Sequence, residues 1–271
     1  MYSLAQSLTI KGSSGEAIPH PFKGLTRHEV EFLRGSVSLA AAGPGTGKSL
    51  FAANFAMSAN VPTLYFSADS GPGTQLSRAT AIITGDDVRE IKAQLSRGQA
   101  DEHLEAWRNR WWIQFVYEAH PDLARLELEI ACYAEVFGVY PALIIIDNIT
   151  NIDVGAVGSA ESYTFGLEGM CEYLQEMARD LEAHVLALHH VKGEYADGLS
   201  PIPLSGVKGQ ISRVPAVVLT IHKEIDGMGG RVLNVSPVKN REGFEDSSGE
   251  TYSSYDLDRT NLRLVDLVDE F

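Results

Sequence analysis

Residues 42–49, Ala42-Gly43-Pro44-Gly45-Thr46-Gly47-Lys48-Ser49, have the A/G-x-x-x-x-G-K-S/T spacing of a phosphate-binding loop. In such a loop the glycines let successive backbone N–H groups turn toward an anion, with Pro44 and Thr46 in the intervening positions. Lys48 carries a charge to the β- and γ-phosphates of a nucleoside triphosphate, and Ser49 offers a hydroxyl to Mg²⁺. Two acids elsewhere fit the same chemistry. Asp147 ends the apolar run Leu143-Ile144-Ile145-Ile146 and is placed to hold Mg²⁺ through water. Asp69 follows Leu64-Tyr65-Phe66-Ser67-Ala68 and is either a general base for an attacking water or the cap of a helix opening near Thr74.

Each of these groups needs an element to hold it. The loop lies between a strand-like run, 37–41, and a helix-forming run, 50–57, which is the context that phosphate binding requires. Residues 62–67 and 141–148 read as further strands, the latter apolar enough to be buried on both faces of a parallel sheet. Residues 183–190 form another and end in His189-His190, whose side chains must face opposite ways, so the two cannot share one metal. His190 is the better placed of the pair to sense a γ-phosphate or a water; a buried structural histidine is the alternative. Helices are expected at 25–33, across 74–110, over 121–136 closed by Gly138, and over 160–181. Trp111 and Trp112 open a strand and are expected to fill a core.

The chain continues with a strand at 216–222, a turn at 227–230 and another strand at 231–241, where Pro237 suggests an edge strand or its frayed end. Lys239 and Arg241 fall on one side of that strand, as a solvated pair or as cations that stabilise charge in a neighbouring subunit's nucleotide site. Residues 192–213 form a Gly-, Pro- and Ser-rich segment with Lys192, Lys208 and Arg213, expected to be flexible and either a solvated connection or a contact for a nucleic-acid backbone. Short strands at 251–267 finish the sheet, and 266–271 read as a frayed acidic tail.

Composition bounds the class. At 271 residues, 44% hydrophobic and 21% charged, the chain is an ordinary globular protein, read as an irregular arm at 1–24 and one domain at 25–271. A formal net charge of −14 excludes a uniformly basic, nucleic-acid-coating surface, though not a local basic channel. Cys132 and Cys171 have no metal-binding spacing and read as buried thiols of a reducing compartment. With no leader-like start or membrane-length apolar run, the expected location is cytoplasmic, away from membranes.

Taken in order, five stretches resemble the RecA superfamily of P-loop ATPases, most closely the ATPase core of DnaB-type hexameric replicative helicases, including single-domain phage relatives. They are 42–49; Tyr65 to Asp69 with Gln75, Leu76 and Arg78; Ile144 to Asp147; Ala187 to His190; and Lys239-Asn240-Arg241-Glu242-Gly243. The resemblance implies an α/β fold: a mostly parallel central sheet flanked by helices, with a C-terminal antiparallel extension. It implies ATP and Mg²⁺ as ligands, Asp69 as the catalytic carboxylate, His190 as phosphate sensor, and Lys239 with Arg241 as a finger acting in trans. It also implies self-assembly into a hexameric ring or a helical filament, and single-stranded DNA held by loops at about 150–163 and 193–213. Two positions depart from the family: Asp69 stands for its glutamate and His190 for its glutamine. A RecA-type recombinase filament and a nucleotide-switched assembly module are the other readings the same motifs allow.

Overall fold

The computed structural model describes residues 3, 6, 14–153, 160–225 and 231–267, with backbone alone for 160–165 and 210. Its elements run α1 (Lys23–Arg27), β1 (Ser36–Ala42), α2 (Lys48–Ala59), β2 (Thr63–Ser67), α3 (Pro72–Thr84), α4 (Val88–Ser96), α5 (Leu104–Arg108), β3 (Ile113–Val116), α6 (Leu123–Phe137), β4 (Leu143–Asp147), α7 (Ala160–Asp180), β5 (His184–His190), β6 (Val217–Ile225), β7 (Arg231–Asn240), β8 (Ser253–Leu257) and β9 (Leu264–Asp266). The strands form one sheet in the order β3-β2-β4-β5-β1-β6-β7-β8-β9. From β3 to β6 all pairings are parallel; β7, β8 and β9 add antiparallel pairs. This is the expected α/β architecture.

The central parallel strands are largely apolar because both faces are covered. In β1, Ala40 and Ala42 pack toward Phe51 and Phe55 of α2 and toward Phe22 and Phe32. Val37, Leu39 and Ala41 face the opposite layer, where α6 and α7 supply Leu126, Ile130, Leu174 and Met177. Register then aligns the ends of the strands: Ser67 pairs with Asp147 and Ala42 with His190. The reactive residues follow from that alignment, at the carboxyl edge where open α/β sheets bind ligands.

Several expectations change. The helix expected at 25–33 is the shorter α1: it opens at Lys23, where Asp266 accepts from the backbone N–H groups of Lys23 at 3.2 Å and Gly24 at 2.6 Å, and it is closed where Glu29 turns to φ +55° and the Val30 N–H returns to the Leu25 carbonyl at 3.0 Å, leaving Val30 and Phe32 as fully buried chain beyond it. Asp266 is thus a helix anchor and no frayed end; residues 268–271 lie outside the described set. β7 is an interior strand rather than an edge, but Pro237 stands past residues 232–235, the stretch that β8 pairs, and opposite the register shift at Val218/Leu219, so it occupies the frayed end of that ladder. Trp111 is exposed, since β3 is the edge strand, and it packs at an angle on Phe137 outside the core. Cys132 is exposed, while Cys171 is buried as expected. The segment 192–213 is pinned rather than flexible: Ile202, Val207 and Ile211 are buried, and Val207 bridges to Val191. The other expected loop, 150–163, falls partly outside the described residues and the turn at 227–230 wholly outside them. Among the described residues no helix is long and apolar enough to cross a membrane.

Candidate functional site

The loop between β1 and α2 takes the form its glycines permit. Gly47 has φ +129°, a conformation side chains resist, and it sits at the head of α2, where no side chain among the described residues caps the helix. The first N–H groups of a 12-residue helix are therefore left for an anion. Gly43 is needed for a different reason: a Cβ there would collide with the carbonyl oxygen of Ala196. That strap, downstream of β5, is fixed in turn by the Lys223 N–H donating to the Gly198 carbonyl at 2.7 Å. Lys48 is buried at 8% exposure.

Beneath the loop lies Asp147, 1% exposed. Burial pushes its carboxyl above the usual range, while the neighbouring Ser49 and Tyr65 hydroxyls and the charge of Lys48 pull it down. The Tyr65 hydroxyl donates to Oδ2 at 3.1 Å. Oδ1 is buried and has no hydrogen-bond partner among the described residues. A buried carboxylate oxygen without a donor is costly, and beside the Ser49 hydroxyl it suits a hydrated divalent cation. Ser49 and Asp147 are thus the residues that could hold a metal.

Asp69 and His190 complete the edge. Asp69 is exposed and does not cap α3, whose N-cap is Gly71 followed by Pro72; its Oδ1 accepts from Asn151 Nδ2 at 3.0 Å. His190 Nε2 lies 2.6 Å from Asn148 Nδ2. An amide nitrogen only donates, so Nε2 accepts and Nδ1 carries the proton of the neutral ring. Burial, and then Lys48, hold His190 below the usual histidine range, which keeps it neutral. His189 points the other way, as its place on the strand requires, and pairs through Nε2 with the Lys208 carbonyl at 2.8 Å.

The loop, Asp69 and His190 share a cavity of about 490 Å³ lined by 44–50, Asp69, Ser70, Arg78 and His190; buried Asp147 is not part of its lining. Its far wall comes from the C-terminal strands: Lys223 and Arg231 supply charge, and Leu233, Leu257 and Leu262 an apolar surface. Sequence reasoning gave no role to Lys223, Arg231, Asn148 or Asn151. The first two are brought in only by the return of the β6–β7 pair. The asparagines had a signal, because polar residues just past a central parallel strand sit at the ligand edge.

Lys239 and Arg241 do not line this cavity. The Lys239 ammonium donates to the carbonyls of Ser212 at 2.7 Å, Arg213 at 2.9 Å and Pro215 at 2.8 Å, and Arg241 Nη2 donates to the Arg213 carbonyl at 3.0 Å. The Arg213 guanidinium is paired with Glu168 at 2.7 Å and Glu172 at 3.1 Å, so part of the positive charge of 192–213 is neutralised within the chain.

Comparisons with known proteins bear on the family and the fold. A family model described as an AAA domain matches residues 16–194. The gene 65 protein of Mycobacterium phage L5 is 41% identical over 266 residues, 98% of this chain and 99% of its own. That of Mycobacterium phage D29 is 43% identical over 228 residues, 84% and 98% respectively. Among solved structures, a DnaB-like replicative helicase, described with its interactions with primase, superposes with a TM-score of 0.77 at 17% identity, over 99% of this chain and 68% of that one. A second solved structure, described as an ATPase domain, gives 0.75 at 17% identity, over 98% and 96%. These last two similarities show a shared fold.

Proposed function

The chain belongs to the AAA domain family, and we propose that it is an ATP-dependent motor that hydrolyses ATP at subunit interfaces and acts on single-stranded DNA. One observation carries the reading: phosphate loop, buried acid with an open oxygen, exposed acid and neutral histidine meet at one sheet edge. In this reading residues 43–49 cradle the phosphates, and Lys48 neutralises charge that develops on the γ-phosphate. Ser49 and Asp147 would hold Mg²⁺, which when bound would supply Lewis-acid charge to the phosphates. Asp69 accepts a proton from the attacking water, and the Nδ1–H of His190 reports the γ-phosphate. Arg241 reaches the site of a neighbouring copy, with Lys239 fixing the end of β7 that carries it. Residues 25–271 act as one ATPase domain behind the arm at 1–24, and 193–213 takes the strand of DNA.

A second reading is favoured by the Arg213 pairing and the net charge of −14: a nucleotide-switched assembly module that moves no strand. ATP turnover with and without single-stranded DNA, alongside mass measurement of the assembly, separates the two. DNA-stimulated turnover with steeply salt-dependent binding supports the motor. Nucleotide-dependent mass without DNA binding supports the switch, and electron microscopy of the ATP-bound protein on DNA tells ring from filament.

A further inference from the structure

Immediately after β4 the chain makes a tight polar turn: Asn148, then the 3₁₀ turn Ile149–Asn151, with the Asn151 N–H returning to the Asn148 carbonyl at 3.0 Å. Buried Ile149 and Ile152 pin the turn into the layer below. Its two amides reach two different groups of the site. Asn151 Nδ2 donates to Asp69 Oδ1 at 3.0 Å, and Asn148 Nδ2 to His190 Nε2 at 2.6 Å. Asp69 and His190 come from separate strands, and this turn links them.

An exposed aspartate without a partner would sample several rotamers, and each departure from the productive geometry costs rate. With Oδ1 held by Asn151, Oδ2 is left for a water at a fixed position. We infer that Asn151 is a positioning residue for Asp69, and that with Asn148 it forms a bracket setting the acid and the histidine in mutual register. The inference rests on the reading of Asp69 as the proton acceptor.

The test is steady-state ATP hydrolysis by the full chain, with fluorescent ADP as the binding probe. Asn151→Ala lowers kcat about tenfold while KM and ADP affinity stay within about twofold, the pattern of a lost transition-state interaction. Asn151→Asp, which sets a carboxylate against Asp69, lowers kcat further. Asn151→Ser keeps a turn-forming residue too short to reach Asp69 and matches the alanine loss, so the measurement survives if the alanine chain folds poorly. In an Asp69→Asn background the Asn151→Ala change costs less than about twofold, since the pair acts as a unit. Wild-type kcat in the Ala and Ser variants, or an undiminished loss in the double variant, overturns the bracket. Wild-type turnover in Asp69→Asn alone overturns the base assignment instead, so the two failures are distinct.

Discussion

The two halves of the sheet solve different problems. In the parallel half the central strands β2, β4, β5 and β1 are covered by helices and largely apolar, and the groups of the candidate site lie at their carboxyl edge. The antiparallel half carries polar groups inside. Asn234 bridges His222 at 3.1 Å and Glu224 at 2.7 Å, Ser254 donates back to Asn234 at 2.7 Å, Thr220 donates to the Ile202 carbonyl at 2.7 Å and Ser236 to that of Gly249 at 2.8 Å. A buried polar network holds one arrangement because each group depends on the others. One half concentrates reactivity at an edge, while the other fixes the loops and cations that lie beside it.

That contrast can be broken at its strongest point by moving a charge in each half. Lys48→Ala lowers ATP turnover by about 10³ or more, and Arg241→Ala lowers it by a comparable factor through the neighbour's site. Mixed assemblies of the two variants then regain activity at interfaces pairing an intact loop with an intact arginine. No recovery at any mixing ratio removes the trans role of the antiparallel half.

Acid titration sharpens the same contrast. Burial holds His184 and His189, both in β5, at about 4. Each lies below the ordinary value of 6.5, so the unfolded chain binds those protons first as pH falls. Stability present above pH 6.5 is lost between 6.5 and about 4, by about 3 kcal/mol for each histidine. Urea unfolding followed across that window checks this, and His184→Gln flattens the slope.

In the antiparallel half, Lys239→Ala strips three carbonyls of their donor and lowers stability by about 2 kcal/mol in denaturant melts. The smallest effect concerns Asp246, held down at about 2 by hydrogen bonds from Ser248 and Thr251. Its folded value is depressed, so its contribution is present above the ordinary 3.8 and lost as pH falls through about 2. Asp246→Asn lowers the melting temperature at neutral pH, and the gap to the parent closes within that acid window.

The parallel half was legible in the residues themselves. Local spacing marks the phosphate loop, and a continuous apolar run ending in Asp147 suits a sealed strand with an acid at its tip, as β4 is. The opposing wall was not, because Lys223 and Arg231 stand eight positions apart on two strands and meet the loop only through the fold. Pro237 marked the end of the β7–β8 ladder but not that β7 itself lies inside the sheet, because propensity speaks for an unpaired position and not for which strands flank it. Trp111 misled because aromatic content does not say which strand lies at the rim. The hold of Asn151 on Asp69 spans 82 positions, beyond any local pattern.

The strap over the phosphate loop has an observable of its own. The Gly198 carbonyl that closes it is held by the Lys223 N–H, while Ala196 rests against Gly43. Any nucleotide that shifts Gly43 must load or relax that bond. Deuterium uptake at the Lys223 amide becomes a gauge of loop occupancy, readable in a chain whose chemistry has been silenced.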